Sequence, residues 1–112
     1  MFALKKETDY AVQLLQYLNT KKKNFVSLRE FAEKSGISFW FLQKIARKLN
    51  LAGIIEAEQG VNGGYRMHAA KNLNLHKVIE IMEGKMAPSS SKITTKLNKD
   101  IIKIMQKVKI TA

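Results

Sequence analysis

The chain has 112 residues, 46% hydrophobic and 26% charged, which suits one small globular domain with a short appendage and is too apolar for a disordered segment. Twenty Lys and Arg against nine Asp and Glu give a net charge of +11, so the expected partner is a polyanion, either nucleic acid or an anionic membrane surface. No cysteine is present, which excludes disulfides, thiolate nucleophiles and cysteine-held metal clusters, and no apolar run approaches the ~18 residues of a membrane span; with no signal-peptide pattern at the start, a soluble cytoplasmic protein is expected.

Ala11, Leu14, Leu15 and Leu18 fall at i, i+3, i+4, i+7 and predict a first helix from Thr8 to about Thr20, capped by Thr8 or Asp9. Lys21-Lys22-Lys23-Asn24 interrupts the pattern, and Phe25-Val26 reads as a short extended piece. Ser27 is the N-cap of a second helix, with Glu30 three residues on to complete a capping box. That helix buries Leu28, Phe31 and Ala32 and stops at Ser35-Gly36, where glycine turns left-handed without steric cost. Ile37 plugs the turn, Ser38 caps a third helix reaching about Leu51, and Gly53 follows it as the C′ residue. Two helices joined by so tight a turn form a helix-turn-helix pattern.

Ile54–Glu58 and Tyr65–His68 predict two strands of a hairpin whose loop, Gln59 to Gly64, is rich in glycine. Asn74 caps a fourth helix that buries Leu75, Val78, Ile79 and Met82 before Gly84. Residues 85–92 hold the only proline and three consecutive serines and read as a linker, and a final helix runs from about Ile93 to Ile110. The division is residues 1–84, linker 85–92 and a terminal segment 93–112. Charge follows this organisation. Residues 20–66 hold nine basic and four acidic side chains, residues 85–112 hold seven and one, and the rest of the chain is balanced.

The third helix has two faces. Phe41, Leu42, Ile45 and Leu49 form its apolar stripe, while Trp40, Gln43, Lys44 and Arg47 recur at i, i+3, i+4, i+7 on the other side. Gln can read adenine edges, and Arg and Lys prefer guanine or phosphate; the plainer reading is a solvated face with one exposed aromatic. At the hairpin tip, glycines admit a close approach to the minor groove, with Gln59 and Asn62 as hydrogen-bonding groups, and the plainer reading there is a flexible turn. Glu56 and Glu58 suit a duplex only if they face away from it. His68 and His76 have no ligand-like spacing, so no metal site is expected. The acidic residues sit singly, with no nucleophile beside a base, so no enzyme is expected either.

The run Thr8-Asp9-Tyr10-Ala11, Ser27-Leu28 through Gly36-Ile37-Ser38, Leu51-Ala52-Gly53-Ile54-Ile55, Gly60-Val61-Asn62-Gly63-Gly64-Tyr65 and the closing Glu83-Gly84 resembles the iron–sulfur cluster regulator (IscR/NsrR-type) family of bacterial winged-helix repressors. The resemblance covers residues 1–84 closely and the last helix in position and character. It implies a mostly α fold with a small β-hairpin, a winged helix-turn-helix domain plus a long C-terminal dimerisation helix, and a repressor that binds an inverted-repeat operator in double-stranded DNA as a homodimer.

Ser38, Trp40, Gln43, Lys44 and Arg47 would then meet the major groove, Gln59, Asn62 and Gly63 the minor groove, and Lys6, Thr8 and Lys48 the phosphates. Ile93, Leu97, Ile101, Ile104, Met105 and Val108 form one apolar stripe on the last helix and would meet the partner subunit; packing back on the same domain is the alternative. Two departures stand out. Many members hold an iron–sulfur cluster on three cysteines between the fourth helix and the dimer helix, where this chain has none, so no cofactor is expected and the signal is left to an effector of unspecified chemistry. The family also often places Arg where this chain has Gln59. A winged-helix protein-interaction or RNA-binding module is the rival reading of the same basic surface.

Overall fold

The computed structural model describes residues 5–22, 24–61, 63–68, 73–84 and 91–110. Five helices and one hairpin follow in the order α1 (Lys6–Thr20), α2 (Leu28–Ser35), α3 (Phe39–Leu51), β1 (Ile55–Glu58), β2 (Gly64–Met67), α4 (Leu75–Glu83) and α5 (Lys92–Lys107). The predicted apolar periodicities converge on one core. Ala11, Leu14, Leu15 and Leu18 of α1 meet Leu28 and Phe31 of α2, Leu42, Ile45 and Leu49 of α3, and Val78 and Met82 of α4.

The helix ends show where local signals were overruled. α1 begins at Lys6, with Lys5 as an N-cap that makes no side-chain capping bond. Thr8 lies inside the first turn and is fully buried, and its hydroxyl donates to the Glu83 carboxylate at the end of α4. As the third residue of the helix, Thr8 stands past the N-cap position and does not cap it. Ser27 does cap α2, its hydroxyl oxygen accepting from the amides of Arg29 and Glu30 at 3.1 and 3.5 Å. The return half of the capping box is replaced, since the Glu30 carboxylate accepts from the Tyr17 hydroxyl at 2.9 Å. Gly36 takes φ +76°, and its N–H closes α2 on the Ala32 carbonyl.

The hairpin is antiparallel, with Ile55 opposite Met67, Glu56 opposite Arg66, Ala57 opposite Tyr65 and Glu58 opposite Gly64. The extended piece before α2 adds one rung on the other edge of β2. Val26 and Tyr65 exchange backbone hydrogen bonds of 2.7 and 2.9 Å, so the wing is fastened to the start of α2. Gly64 makes this approach achievable. At its φ of +152° a Cβ would overlap the Val26 carbonyl oxygen and lie 2.9 Å from the Ser27 nitrogen.

The terminal segment departs from expectation. α5 ends at Lys107 rather than Ile110, and the chain turns extended to pair with the residues before α4. The Leu75 N–H donates to the Val108 carbonyl and the Ile110 N–H to the Leu73 carbonyl, both at 2.8 Å, around an Asn74–Lys109 bridge. Ile110 joins the core. Residues 108–110 thus pair with the residues before α4, and Ile110 packs with the winged domain.

Candidate nucleic-acid interface

α3 presents the polar face that its periodicity predicts. Ser38, Gln43, Lys44 and Arg47 are exposed, and Trp40 leaves 79% of its surface in solvent. Ser38 enters the helix through its backbone alone. Its carbonyl accepts from Leu42 N–H at 3.0 Å, and its hydroxyl makes no capping bond.

Between this face and the wing runs a groove of about 810 Å³. Gln43, Lys44 and Arg47 of α3, Glu58, Gln59, Gly60, Gly63 and Gly64 of the hairpin, and Ser27 and Arg29 line it together. The recognition-helix and wing candidates are thus brought to one surface. The rung between Val26 and Tyr65 does this, since it fixes the hairpin relative to the helix-turn-helix.

Arg29 was not anticipated. Its guanidinium lies 4.2 Å from the centroid of the Phe39 ring, which itself meets Trp40 edge to face at 6.1 Å. The stack holds a cation in the lining of the groove. The signal was in the sequence, where Arg29 follows the cap of the second helix, but its link to Phe39 crosses the turn.

The two glutamates of β1 differ. Glu56 is engaged by Arg66 at 2.8 Å and by His68 at 3.5 Å. Glu58 lines the groove, contrary to the requirement that both face away. Their cross-strand neighbours differ. Glu56 stands opposite an arginine, whereas Glu58 stands opposite Gly64, which has no side chain to take its charge.

The phosphate candidates separate. Thr8 is excluded by burial and by its bond to Glu83, whereas Lys6 is exposed in the first turn of α1. Lys48 and Lys44 both reach Glu7, at 3.3 and 2.9 Å. These two ammonium groups hold the Glu7 carboxyl below its ordinary range, the Lys44 hydrogen bond being the larger cause. A depressed carboxylate keeps its partners above its unfolded pKa and loses them as pH falls through its folded one. The triad is therefore intact at neutral pH. Gly63 is required by the hairpin itself, because a Cβ there would overlap the Glu58 carbonyl. Asn62 lies outside the described residues, as do residues 85–90 of the predicted linker.

On α5, Ile93, Leu97 and Ile104 are 83%, 55% and 64% exposed, Val108 is exposed, and Ile101 is half-buried. Met105 is not available to a partner as the stripe predicted. It is 4% exposed, packed within its own chain. Periodicity places it beside Ile101 and Ile104, but the turn into the Asn74–Lys109 bridge draws this end of α5 onto the domain.

Residues 4–110 match the Rrf2 family, described as an iron-dependent transcriptional regulator. The chain is 35% identical over 85 residues to protein aau3 of Rhizobium meliloti, covering 75% of this chain and 55% of that one. It is 36% identical over 78 residues to the HTH-type transcriptional regulator NsrR of Bacillus licheniformis, covering 68% and 54%. The chain thus spans about half the length of the curated relatives it matches. Among solved structures, CymR, the global cysteine regulator of B. subtilis, superposes with a TM-score of 0.87 at 16% identity over 98% of this chain and 94% of its own. T. potens IscR does so with 0.81 at 23% identity over 97% and 83%. These two likenesses establish the winged-helix fold.

The iron in the family description finds no matching donor set among the described residues. The 112 residues contain no thiol, and no three His, Asp or Glu side chains converge among the described residues. His76 is engaged by Glu80 at 3.2 Å, and His68 shares Glu56 with Arg66. Among the described residues no helix is long and apolar enough to cross a membrane.

Proposed function

The chain belongs to the Rrf2 family of transcriptional regulators, and we propose that it is a cytoplasmic repressor that binds an inverted-repeat operator in duplex DNA as a homodimer. The observation that carries this reading is the groove in which Gln43 and Arg47 of α3 face Gln59 and the glycines of the wing. α3 enters the major groove, where Gln43 and Arg47 reach base edges and Trp40 covers a thymine methyl or a sugar. The wing follows the backbone into the adjacent minor groove, and Arg29 meets a phosphate. No step involves a bound metal.

Self-association rests on α5. Among the described residues, the shallow surface at its start is lined by Lys92, Ile93, Lys96, Leu97 and Asp100, so no other described element covers those apolar side chains. An apolar stripe of this kind calls for a partner surface. A two-fold dimer sets its recognition helices about 34–36 Å apart or a multiple of that, which demands half-sites at matching spacing.

Titrating duplexes selected from random DNA against scrambled ones tests the reading directly. Gln43→Ala should weaken the selected site by roughly 1–3 kcal/mol and relax one base position, while scrambled DNA is barely affected. Equal losses on both duplexes would show that α3 does not read sequence, and preference for structured RNA would favour the rival reading.

Leu97→Asp addresses assembly. The parent should sediment as a dimer at micromolar concentration and the variant as a monomer, with its weaker DNA binding confined to single half-sites. A parent that sediments as a monomer would remove the symmetric operator as well.

A further inference from the structure

Lys44 and Lys48 stand one helical turn apart on α3, and their ammonium groups converge on a single carboxylate, one on each oxygen, at 2.9 and 3.3 Å. That carboxylate comes from Glu7, on a different helix and 37 residues from Lys44. Lys44 also lines the groove beside Gln43 and Arg47, so the triad sits at the edge of the surface that would face a duplex. Two cations closing on a pair of anionic oxygens is the arrangement by which proteins hold a phosphodiester, whose two non-bridging oxygens resemble those of a carboxylate.

We propose that Glu7 occupies, in the DNA-free protein, the site of a DNA backbone phosphate, so that it acts as a sequence-independent brake which a phosphate must displace. The proposal rests on the duplex-binding reading above. It also reassigns Lys44 from base reading to phosphate binding.

The contacts suit a displaceable tenant. The Lys44, Lys48 and Glu7 side chains are 60%, 39% and 24% exposed, so water screens the ion pairs and weakens them. The backbone beneath Glu7 is held by the half-buried Thr8–Glu83 bond, which leaves side-chain rotation as the means of exit. Once displaced, Glu7 remains beside the duplex as an uncompensated negative charge. Wild-type protein therefore neutralises about one phosphate fewer than its lysines would otherwise allow. The alternative role for Glu7 is to pre-organise the two lysines for their phosphate, and that role predicts the opposite sign.

The test compares the full chain with Glu7→Gln on a duplex selected from random DNA and on a scrambled duplex of the same length, across a salt series. Glu7→Gln should bind both duplexes roughly two- to tenfold more tightly near 0.1 M salt, and the slope of log affinity against log salt should steepen by about one unit. Adding Lys48→Ala to Glu7→Gln should return both the slope and the affinity toward wild type. Unchanged or weaker binding by Glu7→Gln overturns the proposal while wild-type binding stands. Tightening confined to the selected duplex also overturns it, because a phosphate site cannot discriminate sequence. Failure of wild type itself to bind either duplex removes the functional reading instead, so the two failures are told apart by the wild-type titration.

Discussion

Replacing Gly64 by alanine is expected to cost roughly 3 kcal/mol or more and to uncouple the wing from the helix-turn-helix. Two effects act together. The residue holds φ +152°, and its Cβ would overlap the Val26 carbonyl oxygen, which is backbone and cannot swing aside. Accommodating it breaks the two hydrogen bonds between Val26 and Tyr65, and strained backbone and lost buried bonds each cost about 1–3 kcal/mol. For a domain of this size the melting midpoint should fall by about 12 °C or more, at ~4–8 °C per kcal/mol. Gly60 is the internal control. It also has positive φ, at +114°, but nothing lies within 4 Å of a Cβ there, so Gly60→Ala should cost only about 1 kcal/mol. Thermal melts of the two variants check the contrast. A Gly64→Ala protein that melts within a few degrees of the parent would show that the Val26–Tyr65 rung does not hold the wing. Because the groove exists only while the wing is fastened, Gly64→Ala should also weaken DNA binding with its α3 side chains unaltered.

Ile110→Asp is expected to destabilise the domain by about 3 kcal/mol, although the residue lies beyond the last helix. Ile110 is buried in the core cluster, and its N–H is bonded to the Leu73 carbonyl. A carboxylate at that position is either buried without a partner or expels the tail from its bridge. Urea unfolding should show a lower midpoint for Ile110→Asp at every protein concentration. Leu97→Asp should behave differently, because Leu97 is exposed within its own chain. Its effect on stability should come through lost association, so its midpoint should no longer depend on protein concentration. An Ile110→Asp midpoint equal to the parent's would mean that the tail contributes nothing to the domain. The contrast also argues against deleting residues 93–112 as a test of dimerisation, since the deletion removes Met105 and Ile110 from the interior as well.

The sequence by itself determined the order of the elements, the turn between α2 and α3, the hairpin and most of the core. Those features follow from relations within one or two turns of chain. Ala11, Leu14, Leu15 and Leu18 share a face through helical geometry alone, Gly36 marks a left-handed backbone through its own lack of a Cβ, and Asn74 caps α4 by accepting from Lys77 N–H three residues on. Gln43 and Arg47 share a face of α3 for the same reason, whereas their placement opposite the wing depends on the hydrogen bonds between Val26 and Tyr65.

Only the tertiary structure decided which partner each ambivalent side chain takes. Thr8 looks like a cap or a phosphate ligand until Glu83, 75 residues away, takes its hydroxyl. Glu7 carries no local sign that it will hold two lysines of α3. Arg29 gains its position over Phe39 from the angle between α2 and α3. Met105 falls on the same periodic stripe as Ile93 and Leu97, yet periodicity specifies a face of a helix and not what covers it. The chain's return to Leu73 and Asn74 brings Met105 against its own domain and leaves Ile93 and Leu97 in solvent. Contacts of this kind depend on how whole elements are rotated and docked, and no spacing along the chain encodes that.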